Sequence, residues 1–112
     1  MILVSIKRNK NGKIKEFIID GHSGFDKAGK DIVCASISAI SGTAIIGLER
    51  VLCIKPLIVV DLERGHLKCS IPKGLKETEY EKTDIILETM VLGIKDISEK
   101  YSKFIKVSDK EV

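Results

Sequence analysis

Tryptophan is absent from this 112-residue chain, and its only aromatic side chains are Phe17, Phe25, Phe104, Tyr80 and Tyr101. So thin a supply leaves no stacking platform for single-stranded nucleic acid. Charge of one sign is scarce as well. Lysine plus arginine number 19 against 16 aspartate plus glutamate, a net +3. The basic residues lie in short mixed runs such as Lys7-Arg8 and Lys13-Ile14-Lys15 rather than in a stripe. No direct nucleic-acid partner is therefore expected. Cysteine is sparse and odd in number, three without paired spacing. That speaks against a disulfide framework and for a reducing, cytoplasmic setting. No secretory leader is expected, because Met1 runs straight into an alternating apolar segment. Cys53, His66 and Cys69 lack the spacing of the short chelating pairs that hold zinc. Walker loops and dinucleotide fingerprints are also absent, so no metal or cofactor is implied. The longest uncharged run, Ile32 to Leu48, falls short of the ~20 apolar residues of a membrane span. It also carries Ser36, Ser38, Ser41, Gly42 and Thr43. A buried helix with small residues explains it better than a span.

What is present is a globular composition, 44% apolar and 31% charged, in one domain over residues 1–112. Ile2, Val4 and Ile6 alternate with Leu3, Ser5 and Lys7, which predicts a half-buried strand. Asn11-Gly12 supplies a type I′ turn, and a second strand follows from about Lys13 to Ile19. Residues 21 to 30 read as a loop. Helix one is expected from about Ile32 to Cys53, halted by Lys55-Pro56. Its apolar stripe is Val33, Ile37, Ile40, Ala44, Leu48 and Val51, and further apolar residues lie around the cylinder. A helix greasy on most sides needs cover on most sides, and a second subunit could give part of it. Gly42 and Gly47, inside this helix, are assigned to packing. Leu57 to Leu62 is a continuous apolar run of strand length, and Leu67, Cys69 and Ile71 alternate along the next strand. Thr78 and Glu81 form a capping box for helix two, whose stripe is Thr83, Leu87, Met90, Ile94, Ile97 and Tyr101. A last strand covers Phe104 to Val107. The order ββ-α-ββ-α-β predicts an α+β domain with a mixed or antiparallel sheet and two long helices.

The residues that carry chemistry are Gly21-His22-Ser23-Gly24 and, a little later, Asp31-Ile32-Val33-Cys34. A thiol nucleophile needs a base within reach and surroundings that favour thiolate. Asp31 is a helix-capping residue type, which would put Cys34 in the first turn, beside unpaired N–H groups and the positive end of the dipole. Those same N–H groups are natural oxyanion donors. His22 stands in the loop before it as candidate base. Asp31, Cys34 and Ser38, at i, i+3 and i+7, fall on one helix face, a polar–thiol–polar line that suits the border of a cleft. Asp31 can act as a plain cap, as the group that orients His22, or as both, and Ser38 can be a packing residue. Cys53 and Cys69 read as core, and His66, after Gly65 in a turn, as solvent-exposed.

The run GHSGFDKAGKDIVCASISAISG resembles the signature of the ribosomal-processing cysteine protease family of small bacterial proteins. The matching elements are Gly21-His22-Ser23, Asp31-Ile32-Val33-Cys34-Ala35 and Ser38-Ala39, after a glycine-containing loop with Gly24 and Gly29. Ser23, where alanine is commoner, departs mildly from the pattern and leaves the Cys-His pair untouched. The resemblance implies a cytoplasmic cysteine endopeptidase that removes a short N-terminal extension from ribosomal protein twenty-seven of the large subunit. It implies Cys34 as nucleophile and His22 as base, with Asp31 and Ser38 supporting. It further implies a homodimer and a substrate loop with Gly21, Ser23, Gly24 and Gly29 that closes over the peptide, with no membrane partner. The rival readings are a non-catalytic ribosome-associated binding protein, and a thiol acyltransferase or redox sensor built on the same pair.

Overall fold

The computed structural model describes residues 1–21 and 28–111, and for residues 28–31 the backbone alone. Its elements are β1 (Ile2–Arg8), β2 (Ile14–Asp20), α1 (Ala28–Ile46) with a π-helical continuation (Gly47–Val51), β3 (Leu57–Asp61), β4 (His66–Ser70), α2 (Glu77–Lys100) and β5 (Ile105–Glu111). The five strands form one mixed sheet in the order β3-β4-β2-β1-β5. Only β1 and β5 pair in parallel, and α2 is the crossover that makes this possible. The α+β class and the order of elements are as expected.

The alternation in β1 sends Ile2, Val4 and Ile6 into the core at 2% exposure or less, beside Phe17 of β2 and Cys69 of β4. Both helices close this face. Val33, Ile37, Ala44 and Leu48 come from α1, and Leu87, Met90, Val91 and Ile94 from α2. Each such side chain, fully buried, contributes about 1.5–3 kcal/mol against solvent exposure. The other face of the sheet carries Lys7, Glu16 and Lys68 in ion pairs at 3.2 and 3.5 Å.

Local details depart from expectation for identifiable reasons. The β1–β2 connection is not type I′. Gly12 alone has positive φ, +79°, and Asn11 does not share it. The Asn9 side-chain carbonyl accepts the N–H groups of Asn11 and Lys13 at 2.9 and 3.1 Å, which supports a three-residue turn closed by the glycine. Helix α1 begins at Ala28, so Gly29 and Lys30 are helical rather than loop. Its end is set by Cys53, whose φ of +55° reverses the chain while the Ile54 N–H bonds the Leu48 carbonyl at 2.8 Å. That is a left-handed cap three residues ahead of Pro56, which only follows it. The π turn adds a residue per turn and rotates Val51 off the stripe, leaving it 75% exposed. For α2 the capping pair is Lys76 and Glu79, not Thr78 and Glu81, and the Glu79 carboxylate accepts the Lys76 N–H at 2.9 Å. Strand β5 starts one residue later than expected and runs on to Glu111, held by β1 along its length.

The stretch Ile32–Val51 reaches 20 residues and is long and apolar enough to cross a membrane, so the length argument against a span does not hold. One side of this helix packs in the core under the sheet.

Candidate active site

Cys34 is the seventh residue of α1, one turn further in than a start at Asp31 would give. The helix's unpaired N–H groups therefore belong to residues 28–31, and the dipole argument weakens, since that effect fades within the first turn. The backbone of Asp31 is inside the helix, so it is not the N-cap. Its side chain, like all of His22, Ser23 and Gly24, lies outside the described residues. Cys34 itself is half-buried, against the core cluster.

It faces a cavity of about 500 Å³ between α1 and the ends of β1, β2, β4 and β3. Cys34, Ile37, Ser38 and Gly42 form one wall, and Val60 and Leu62 stand on the other. The structure thus brings Cys34 and Ser38, one helical turn apart, to a common opening. Gly42 is not a packing glycine, for a Cβ there would meet nothing within 4 Å. It keeps space open along the wall. Gly47 does pack, 3.4 Å from the Ile86 side chain.

Gly21 closes the cavity at the end of β2 and is fixed from two sides. Its φ is +142°, and a Cβ would stand 2.7 Å from the Met1 carbonyl oxygen and 2.8 Å from the Ile2 Cα. Its N–H bonds the Gly65 carbonyl at 3.0 Å. No other residue fits. The role expected of Gly21, in a substrate loop, thus starts from a strand end anchored in the sheet.

The remaining thiols and the second histidine differ from expectation in part. Cys69 is core, and burial, with Glu49 and Glu16 nearby, pushes its thiol up to about 12. Cys53 is exposed, because the left-handed cap that it forms projects from the surface. His66 is not a free turn residue. It opens β4, its side chain is 18% exposed, and its Nδ1 lies 3.3 Å from Asp20 Oδ1. Sequence reasoning missed this pair, although strand alternation through Phe17 and Cys69 places the two residues on one face.

A family model for the cysteine protease Prp matches residues 1–106. The chain belongs to this family. The ribosomal processing cysteine protease Prp of Staphylococcus aureus is 35% identical over 98% of this chain and all of its own length. The Prp of Bacillus subtilis is 25% identical over 96% of each chain. Among solved structures, S. aureus Prp with a substrate peptide superposes with a TM-score of 0.86 at 30% identity, over 98% of this chain and 100% of that one. The same protease with a covalently linked product peptide gives 0.83 at 31% identity, over the same shares. A Streptococcus mutans protein gives 0.89 at 26% identity, covering 100% of this chain and 96% of its own. The α+β architecture is that of Prp. The protein is an enzyme, a cysteine-type peptidase of a ribosomal-processing family, and the reading as a non-catalytic binding protein falls.

Proposed function

We propose that this peptidase removes the short N-terminal extension of large-subunit ribosomal protein twenty-seven through a Cys34–His22 pair, in the cytoplasm. The observation that carries the reading is Cys34, half-buried on the wall of an open cavity whose apolar lining suits the side chains of an extended peptide. The Cys34 sulfur attacks the scissile carbonyl carbon while His22 takes the thiol proton. His22 returns it to the leaving amine as the peptide bond breaks and the acyl-enzyme remains. Water, deprotonated by the same imidazole, then releases the acid and restores the thiol. Asp31 orients His22, and Ser38 lines the approach to Cys34. A product peptide covalently linked to S. aureus Prp supports catalysis through such an intermediate. The relatives' description as ribosomal processing proteases supports the substrate.

The active form is a homodimer. Ile32, Ile46 and Val51 on helix one, 48–75% exposed, support a covering subunit, as do Leu57, Val59 and Val60 on β3, 55–66% exposed. Sedimentation at micromolar concentration should show twice the 12.4 kDa chain mass, and a monomer refutes the interface.

Cleavage of a peptide covering the extension junction tests the mechanism. Cys34→Ala and His22→Ala should lose cleavage, while Cys53→Ala and Cys69→Ala keep it. Wild-type turnover by Cys34→Ala would falsify the assignment.

A further inference from the structure

The turn between β3 and β4, residues 62–65, opens with a leucine set among the charged Asp61, Glu63 and Arg64. Leu62 is 85% exposed, the most of any large apolar side chain among the described residues. A lone exposed leucine is ordinary on a protein surface. Leu62 differs by its place, because it lines the cavity that holds Cys34, on the wall opposite Cys34, Ser38 and Gly42 of α1. The α1 wall is small there, and nothing stands within 4 Å of where a Cβ on Gly42 would be. One side of the opening is therefore hollow, and the other presents a bulky apolar group. The turn that presents it is held at both ends. The Asp61 carboxylate accepts the Arg64 N–H at 3.1 Å, which closes the backbone around Leu62 and Glu63. Gly65 follows with φ +65°, and its carbonyl accepts the Gly21 N–H at 3.0 Å, tying the turn to the end of β2. Leu62 is thus offered at a set place, and little backbone freedom is lost when a ligand covers it.

We propose that Leu62 is a specificity-determining residue of the peptidase, packing one apolar side chain of the substrate against the hollow at Gly42. This rests on the reading of Cys34 as the nucleophile. The occupant is the substrate peptide because the leucine and the thiol share one cavity. The α1 wall from Cys34 to Gly42 is about 12 Å long at 1.5 Å per residue, the reach of roughly four extended residues. The selected side chain therefore lies within that distance of the scissile bond. Side chains of an extended peptide alternate, so its neighbours in sequence point away from the hollow. Binding takes the apolar surface of both partners out of water, and the leucine supplies the larger share on the enzyme's side.

The test is cleavage of a mixed peptide library by the full-length chain, with the cut sites read by mass spectrometry. Its outcome does not hang on one ribosomal substrate. Wild type should select a bulky apolar residue at one position within about four residues of the cut. Leu62→Ala should weaken that selection about tenfold in kcat/KM, the scale of a lost apolar contact, and leave the other positions as they were. Leu62→Met, of similar volume, should keep roughly half or more of the wild-type selectivity. At so exposed a site the Tm of each variant should stay within about 3 °C of wild type. An unchanged profile in Leu62→Ala overturns the inference, as does a wild-type profile with no such position. So does an equal loss at every position, the mark of a disturbed turn. Sedimentation of Leu62→Ala separates a further case: a loss of cleavage that accompanies a halved mass makes Leu62 a subunit contact and overturns the inference too. Cys34→Ala runs alongside. Should it cleave at the wild-type rate, the nucleophile reading fails and this inference with it, whereas its inactivity beside an unaltered Leu62→Ala profile condemns the specificity role alone.

Discussion

A single methyl group at position 21 would collide with main chain on the neighbouring strand. The contact distances of 2.7 and 2.8 Å are to Met1 and Ile2 backbone atoms, which no rotamer change can relieve. Gly21→Ala also forces a side chain into φ +142°. The expected loss is about 2–4 kcal/mol, from steric strain and a displaced β1–β2 end. In a domain of this size that is a Tm fall on the order of 10 °C. Differential scanning calorimetry checks it, and a Tm within 2–3 °C of wild type, roughly the effect of a neutral surface change, would show that the close approach relaxes freely.

Helix α1 does two jobs with two faces. Val33, Ile37, Ala44 and Leu48 hold it to the sheet, while Cys34, Ser38 and Gly42 border the cavity. The second set is small, and the space that it leaves is where a peptide would lie. Gly42→Leu puts a bulky side chain into that space with no neighbour within 4 Å to clash with at its Cβ. The substitution should leave the fold intact, since leucine is a better helix former than glycine by up to about 1 kcal/mol. The KM for the junction peptide should rise about tenfold, on the scale of one excluded apolar side chain. Unchanged KM would place the peptide elsewhere on the protein. The π turn at Gly47–Val51 belongs to the same element and carries Leu48 fully into the core at the cost of exposing Val51.

At the far end of the sheet from Cys34, a charge cluster locks β1, β5 and α2 together. Arg8 bonds Asp109 at 2.8 Å through Nε and bonds both Glu88 oxygens, and Lys95 adds a 2.9 Å contact to Asp109. The Arg8 guanidinium, by hydrogen bonding, holds the Asp109 carboxyl at about 2, below its ordinary 3.8, and lowers Glu88 as well. Carboxyls whose pKa falls on folding stabilise the native state above their unfolded values. That contribution drains away as protons are added from about 4 down to about 2, the interval given by the Asp109 shift. Arg8→Met should consequently flatten the acid limb of stability. Urea midpoints between pH 7 and pH 2 measure it, and an acid limb as steep as wild type would show that the cluster contributes nothing there. The two sheet edges are treated differently: β5 carries the exposed Lys106 and Lys110 on one face, whereas β3 has no charge before Asp61. Lysines of that kind discourage edge pairing, and β3 lacks them along Leu57–Asp61.

Strand alternation in Ile2–Ile6, the four-and-three spacing of Thr83 to Tyr101 and the density of chemistry in Gly21 to Gly42 were legible in one dimension. Periodicity and motif spacing are properties of the chain itself. On those grounds the sequence determined the class, the element order, the family and the candidate residues. It did not determine where α1 starts, because Asp31 is as good a capping type as any and only the folded backbone reveals a helix already begun at Ala28. Nor could it show that Cys53 caps the helix in a left-handed conformation, that Gly42 borders a cavity rather than a neighbour, or that Asp20 meets His66. Residues 20 and 66 are brought together by the β2–β4 register, and register follows from which faces are buried once the whole sheet has formed. Contacts between residues far apart in the chain are decided by tertiary packing, and the surroundings of Cys34 are built almost wholly from such contacts.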